Sequence, residues 1–134
     1  MEQAVFTEFK AEVVQRLESL GYKFQDSETQ NFMLKFLTDK VENTILNETN
    51  QVEVPEGLHH VFIDMVCGEF LWQLKSMSLL TGDELEAVVA SIKVGDTSTS
   101  FDVKSSPQAL YEALTKALMS DGRKEFARYR KLVW

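Results

Sequence analysis

The sequence predicts a mainly α-helical fold, a small helical bundle around a central apolar helix at about residues 55–77, with one inserted β-hairpin at about residues 89–103 and a C-terminal helix or arm. Three observations predict it. Apolar residues recur at spacings of three and four along most of the chain, the mark of amphipathic helices. From Val61 to Leu74 they cover nearly the whole circumference, as in a helix packed on several sides. Within Ile92-Lys93-Val94-Gly95-Asp96-Thr97-Ser98-Thr99-Ser100-Phe101, Gly95-Asp96 is a two-residue loop of the kind that closes tight hairpins.

Taken in order, the first helix runs from about Ala4 to Leu20, with Phe6, Phe9, Val13, Leu17 and Leu20 on one face, and Gly21 ends it. Ser27-Glu28-Thr29-Gln30 has the form of a capping box, in which the Ser hydroxyl accepts from the N3 amide and the Gln side chain reaches back. The second helix starts there. Its stripe is Leu34, Leu37, Val41 and Ile45, with Phe32, Met33 and Phe36 widening the apolar side, and it decays into a loop at Asn47-Glu48-Thr49-Asn50. Pro55 suits a helix N1 position and Glu56 the positive end of the helix dipole. The third, central helix follows to about Met77, and Gly68 lets a neighbour approach closely.

Thr81-Gly82-Asp83-Glu84 is a second cap. After it two patterns compete: Leu85, Val88, Val89 and Ile92 keep helical spacing, while Val88, Ala90, Ile92 and Val94 alternate as a strand does. Position favours a short helical turn over Asp83 to Val88 and a strand from about Ala90. Closing the hairpin at Gly95-Asp96 sets Val94 opposite Thr97, Ile92 opposite Thr99, Ala90 opposite Phe101 and Val88 opposite Val103. One side of the ribbon is then apolar or β-branched, and the other carries Ser91, Lys93, Ser98, Ser100 and Asp102. An isolated ribbon is marginal and leaves both edges unpaired, so it needs helices beneath it or a strand beside it, and another subunit can supply that strand. Ser105-Ser106-Pro107 opens a fourth helix with Ala109, Leu110, Ala113, Leu114, Ala117 and Leu118 inward, and Asp121-Gly122 breaks it. Arg123 to Trp134 forms a further helix or an extended arm anchored by Phe126, Tyr129, Leu132 and Val133.

At 134 residues the chain reads as one domain, 1–134, with 121–134 a candidate docking arm. A domain of this size buries roughly two thirds of its unfolded surface. A hydrophobic content of 44%, with 26% charged residues and two prolines, excludes a disordered chain. The start Met-Glu-Gln-Ala-Val-Phe has no basic n-region, and no apolar run reaches the roughly 18 residues that cross a bilayer, so the expectation is a cytosolic chain without membrane contact. Cys67, alone in an apolar run, reads as a buried free thiol.

Candidate chemistry is sparse. His60 and Asp64 have the i, i+4 spacing of a chelating pair, but two ligands are too few, and no His-Glu-x-x-His, Cys pair or carboxylate cluster completes a shell. The glycines form no phosphate-binding loop, and the scattered carboxylates read as solvated surface. No catalytic residue, metal or cofactor is expected. Charge is the stronger signal: up to Ser120 there are nineteen acidic residues against nine basic, whereas from Asp121 onward there are five basic against two acidic. Three uses of that tail stay open. Its basic face can pair with the acidic body, its aromatic and Arg residues can dock in a partner protein, or they can contact nucleic acid.

The layout of three N-terminal helices, an apolar third helix opened by Val54-Pro55-Glu56, a ribbon and a terminal helix resembles that of the small head-tail connector, or adaptor, proteins of tailed bacteriophages and prophage-like elements. The segment Ile92 to Phe101 is similar to the Ile-Gly-Asp-x-Ser/Thr-x-Ser/Thr-Φ segment of such connectors, Φ being apolar. The resemblance implies a non-enzymatic neck protein of the virion, assembled from the host cytoplasm as a dodecameric ring beneath the portal, that hands the channel to a stopper or tail-completion protein and lets DNA pass unread. It implies a subunit–subunit interface at Ile92, Val94, Thr97, Thr99 and Phe101. Portal or partner docking would fall to Arg123, Lys124, Phe126, Arg128, Tyr129, Arg130, Lys131 and Trp134. Replacing Ile92 and Phe101 by Asp is then expected to prevent assembly and spare the helices. The alternative is a monomeric or dimeric bacterial adaptor or regulatory protein with the hairpin packed on its own core.

Overall fold

Helix α1 spans Gln3–Ser19 and turns Phe6, Phe9, Val13 and Leu17 inward. It closes on Gly21, whose φ of 95° lets Tyr22 N–H reach back to Leu17 O at 2.9 Å and Gly21 N–H to Glu18 O at 3.0 Å. The same glycine is a contact point, because a Cβ there would come within 2.6 Å of Ala87 O. The computed structural model describes residues 1–94 and 106–132.

Helix α2, Glu28–Thr49, starts at the predicted cap, with Ser27 Oγ accepting from Gln30 N–H at 3.2 Å. The returning arm of the box goes elsewhere. Gln30 Oε1 accepts from Gln25 N–H at 3.1 Å, and its Nε2 donates to the buried Tyr22 hydroxyl at 2.8 Å, so one side chain ties the α1–α2 loop to the helix start. The polar run Asn47-Glu48-Thr49, expected as loop, is the last turn of α2, which ends only at Asn50 in the left-handed conformation. Thr49 is tolerated inside because its hydroxyl donates to Ile45 O at 2.6 Å.

A single 3-10 turn, Glu56–Leu58, follows Pro55 and leads into α3, His59–Ser76. Val66, Cys67, Phe70, Leu71 and Leu74 of α3 are fully buried, with α1, α2 and α5 packed around them. Each such side chain stabilises the fold by about 1.5–3 kcal/mol through burial. Gly68 is where α5 comes closest, since a Cβ there would lie 2.8 Å from Leu118 Cβ and 3.0 Å from Thr115 O.

Helix α4, Gly82–Val94, corrects the predicted hairpin: among the described residues there is no strand, and Val89 to Val94, expected as its first strand, are helical. The remainder of the hairpin, including Thr97, Thr99 and Phe101, lies outside the described residues. The physical reason is a closed capping box. Glu84 N–H donates to Thr81 Oγ1 at 3.1 Å and Thr81 N–H to Glu84 Oε1 at 3.0 Å, and beyond that start Val88, Val89 and Ile92 bury on one helical face against the core. The helical spacing therefore overrides the alternation at Ala90 and Val94. Helix α5, Pro107–Ser120, is capped by Ser106 with Pro107 in its first turn, and buries Leu110, Tyr111, Leu114, Thr115 and Leu118. Its inner face is turned from the expected one, since Ala109 is exposed and the Tyr111 hydroxyl reaches Leu71 O at 2.6 Å. A 3-10 segment, Asp121–Glu125, and the short α6, Phe126–Tyr129, complete the described chain.

Candidate interaction surfaces

The two groups of residues singled out for contacts behave differently from each other and from expectation. Ile92 is 2% exposed, in the core of its own chain, so it cannot belong to a subunit interface without unfolding α4. Val94, two residues on, is 87% exposed at the helix end. Thr97, Thr99 and Phe101 fall outside the described residues, as does Trp134.

The basic C-terminal segment lies on its own body. Phe126 is buried in the core and Tyr129 packs over Gly57, where no Cβ fits beneath its ring. Polar contacts fasten the end: Lys131 N–H donates to Thr49 O at 2.8 Å, Asn50 Nδ2 to Lys131 O at 3.0 Å, and Gln51 Nε2 to Tyr129 O at 2.7 Å. Arg123 pairs with Glu48 at 3.1 Å and donates to Met119 O at 3.3 Å, while Glu125 stands 3.6 Å from His60. Two of the expected anchors, Phe126 and Tyr129, are thus used internally, whereas Leu132 is 68% exposed and Val133 lies outside the described residues. All five of its cations, Arg123, Lys124, Arg128, Arg130 and Lys131, are exposed.

A groove of about 650 Å³ lies between α3, α5 and the 3-10 segment, lined among others by Arg16, His60, Asp64, Lys116, Lys124 and Glu125. Arg16 Nε donates to Asp64 Oδ1 at 2.8 Å, so the carboxylate of the His60/Asp64 spacing is occupied by a guanidinium and His60 turns to Glu125. His59 meets Glu12 at 2.7 Å. Among the described residues no three His, Cys, Asp or Glu side chains converge as a metal shell. Cys67 Sγ sits 3.8 Å from Val13 O, and burial pushes its thiol far above the ordinary range, the opposite of what a thiolate nucleophile needs. Burial likewise raises the Tyr111 phenol.

A third surface was not singled out by the sequence pattern. Phe32 and Phe36 on α2, expected to widen its apolar side, are 74% and 58% exposed. On a wheel of 100° per residue both lie about 160° from Leu34, so their position opposite the buried stripe is the signal that was available. On α3, Trp72 is 37% exposed and Met77, just past its end, 53%. The Lys40–Glu69 ion pair, 3.3 Å, fixes the alignment of the two antiparallel helices. Trp72 and Met77 lie 140° apart around α3, and Gln73 Nε2 donates to Met77 Sδ at 3.5 Å.

No family profile, curated protein or solved structure matches this chain.

Proposed function

We propose that the chain is a structural subunit of a tailed-phage or prophage neck, a ring-forming connector that joins the portal to a stopper or tail component and lets DNA pass, with no catalytic role. The observation that carries this reading is the segment Ile92 to Phe101, similar to the connector segment, whose first three residues end α4 and whose remainder precedes α5 in the sequence. Ile92 itself is held in the core, so in this reading the subunit contact falls to the residues that follow Val94 in the sequence. The acidic body also suits a channel that must not retain DNA, since like charge repels a polyanion.

A second reading is favoured by a specific observation. Burial of Ile92 and Phe126 within one chain, together with the fastened C-terminal end, supports a helical adaptor that functions as a monomer or dimer. The mass of the chain, measured by light scattering alone and mixed with a tailed-phage portal protein, separates the two. The connector reading expects a large complex carrying many copies per portal ring. Failure to bind that portal, with the chain remaining a monomer or dimer, overturns it.

A further inference from the structure

A groove of about 240 Å³ lies between α1, residues 54–56 and the start of α3, with Glu8, Glu12, Glu42 and Glu56 around it and the buried Phe9 and Phe62 in its lining. Among the described residues no lysine or arginine lines it, unlike the groove beside α5, which holds Arg16, Lys116 and Lys124. We propose that this acidic groove receives the basic arm, residues 128–132, of a second copy of this chain.

Charge and presentation select that occupant. His59 engages Glu12 at 2.7 Å and the Met1 ammonium lies 3.8 Å from Glu42, which leaves Glu8 and Glu56 exposed and without an ion-pair partner among the described residues. Unpaired carboxylates beside apolar walls suit a cation on a long apolar stem, because the stem covers the walls while the head meets the carboxylate. The arm has that chemistry. Arg128, Arg130 and Lys131 are exposed with no ion-pair partner among the described residues, and Leu132 beside them is 68% exposed. The arm is also held ready, since Gln51, Thr49 and Asn50 fix the backbone of Tyr129 and Lys131, so that docking has only side chains to order. Within one chain the same fastening keeps the arm at the end of α2, and among the described residues none of its cations pairs with the four glutamates of the groove. A second copy supplies the match. Up to Ser120 its nineteen acidic residues outnumber nine basic ones, so the arm is the part of a neighbouring copy that the groove attracts. A nucleic acid has the groove's own sign and is repelled by it.

A ring and a dimer both need a surface on which copies meet, so this contact goes beyond the connector reading and does not depend on it. The test uses the full chain. Sedimentation at low salt, from micromolar to about 1 mM, reads the mass against 15.3 kDa. The parent is expected to rise above that mass and to return to it at about 1 M salt, where screening acts within about 3 Å. Two charge reversals at exposed positions, Arg130→Glu/Lys131→Glu in the arm and Glu8→Lys/Glu56→Lys in the groove, are each expected to stay monomeric with unchanged helical circular dichroism. Mixed in equal amounts, the two variants are expected to associate again, because each arm then meets a groove of opposite sign. A parent that stays at 15.3 kDa at low salt overturns the proposal, as does a variant that associates as well as the parent, or a mixture that does not associate. A parent that binds a single-stranded DNA probe through the arm and does not self-associate overturns it as well. If self-association follows the charges and no portal is bound, the connector reading fails alone. If both variants still load onto the portal in rings, the groove-and-arm contact fails alone.

Discussion

Phe126 and Tyr129, in the basic C-terminal segment, turn into the molecule, whereas Phe32 and Phe36, in the middle of an acidic and otherwise well-packed helix, turn out of it. The two regions have similar residues and opposite fates. In the first, the 3-10 segment after α5 brings the chain back against α2 and α3, Phe126 enters the core, and hydrogen bonds to Thr49 O and from the Asn50 and Gln51 side chains hold the end down. In the second, α2 turns its buried stripe toward α3, and Phe32 and Phe36, about 160° from Leu34, remain exposed among the described residues. Burial follows a side chain's angle on its element and what lies beside it, not its chemical type. A cluster of aromatic and basic residues is therefore a poor guide to docking when its chain segment can fold back.

The same contrast within α4 allows the most drastic test. Ile92→Asp places an unpaired charge among buried side chains and should cost more than about 4 kcal/mol, enough to unfold a domain of this size in circular dichroism at room temperature. Val94→Asp, at the exposed end of the same helix, should change the unfolding midpoint by no more than about 0.5 kcal/mol. The Ile92/Phe101 double Asp change is consequently a test of folding, not of assembly. Equal and small effects at the two positions would mean that α4 does not pack as described.

Next in size is the contrast between the aromatic regions themselves. Phe126→Ala should lose about 3–5 kcal/mol in chemical denaturation and free the C-terminal end, seen as rapid hydrogen exchange at Lys131 N–H. Phe36→Ala should be within about 0.5 kcal/mol of the parent. A reversal of that order would invert the comparison.

The smallest expected effect comes from the protons held in the core. Burial raises Cys67 from its ordinary 9.0 and Tyr111 from 10.0, so the unfolded chain loses these protons before the folded one does. Their contribution is fully present below the unfolded values and is lost as pH rises through them toward the higher folded ones. The thermal midpoint should fall between about pH 8.5 and about pH 10.5, and fall less steeply in Cys67→Ala. A midpoint flat over that window would place both groups nearer to water. At the acid end, Asn31 and Lys10 beside Asp26, and Lys75 beside Glu112, lower those carboxyls, so the small stability they supply is present at neutral pH and disappears as pH drops below the carboxylate range.

The helices α1, α2, α3 and α5 were legible because their starts and stops are local chemistry: Ser27, Ser106 and Pro107 at the beginnings and Gly21 at an end. Their core stripes were legible for the same reason, apart from the rotation of α5 toward Tyr111 and Thr115. Residues 88–92 were not, since Val88 and Ile92 satisfy a period of two and a helical step of four equally. The tie was broken by the closed bonds between Thr81 and Glu84, and by the packing of Gly21 against Ala87. Of the surfaces, the acidic body and basic tail were readable as charge, while the outward position of Phe32 and Phe36 was masked by their expected place on the apolar side of α2.

By itself the sequence determined that this protein is helical, where most of its helices begin and end, and that a fully apolar segment lies at its centre. Capping and periodicity act over four to seven residues, and that information is written in the residues themselves. Only the tertiary structure decided that α4 continues through Ile92, that the C-terminal segment folds back through Phe126, and that Phe32 and Phe36 remain outside. Each of those outcomes depends on which distant element occupies a given side of a helix, and the energy that decides it is burial shared between residues far apart in the chain.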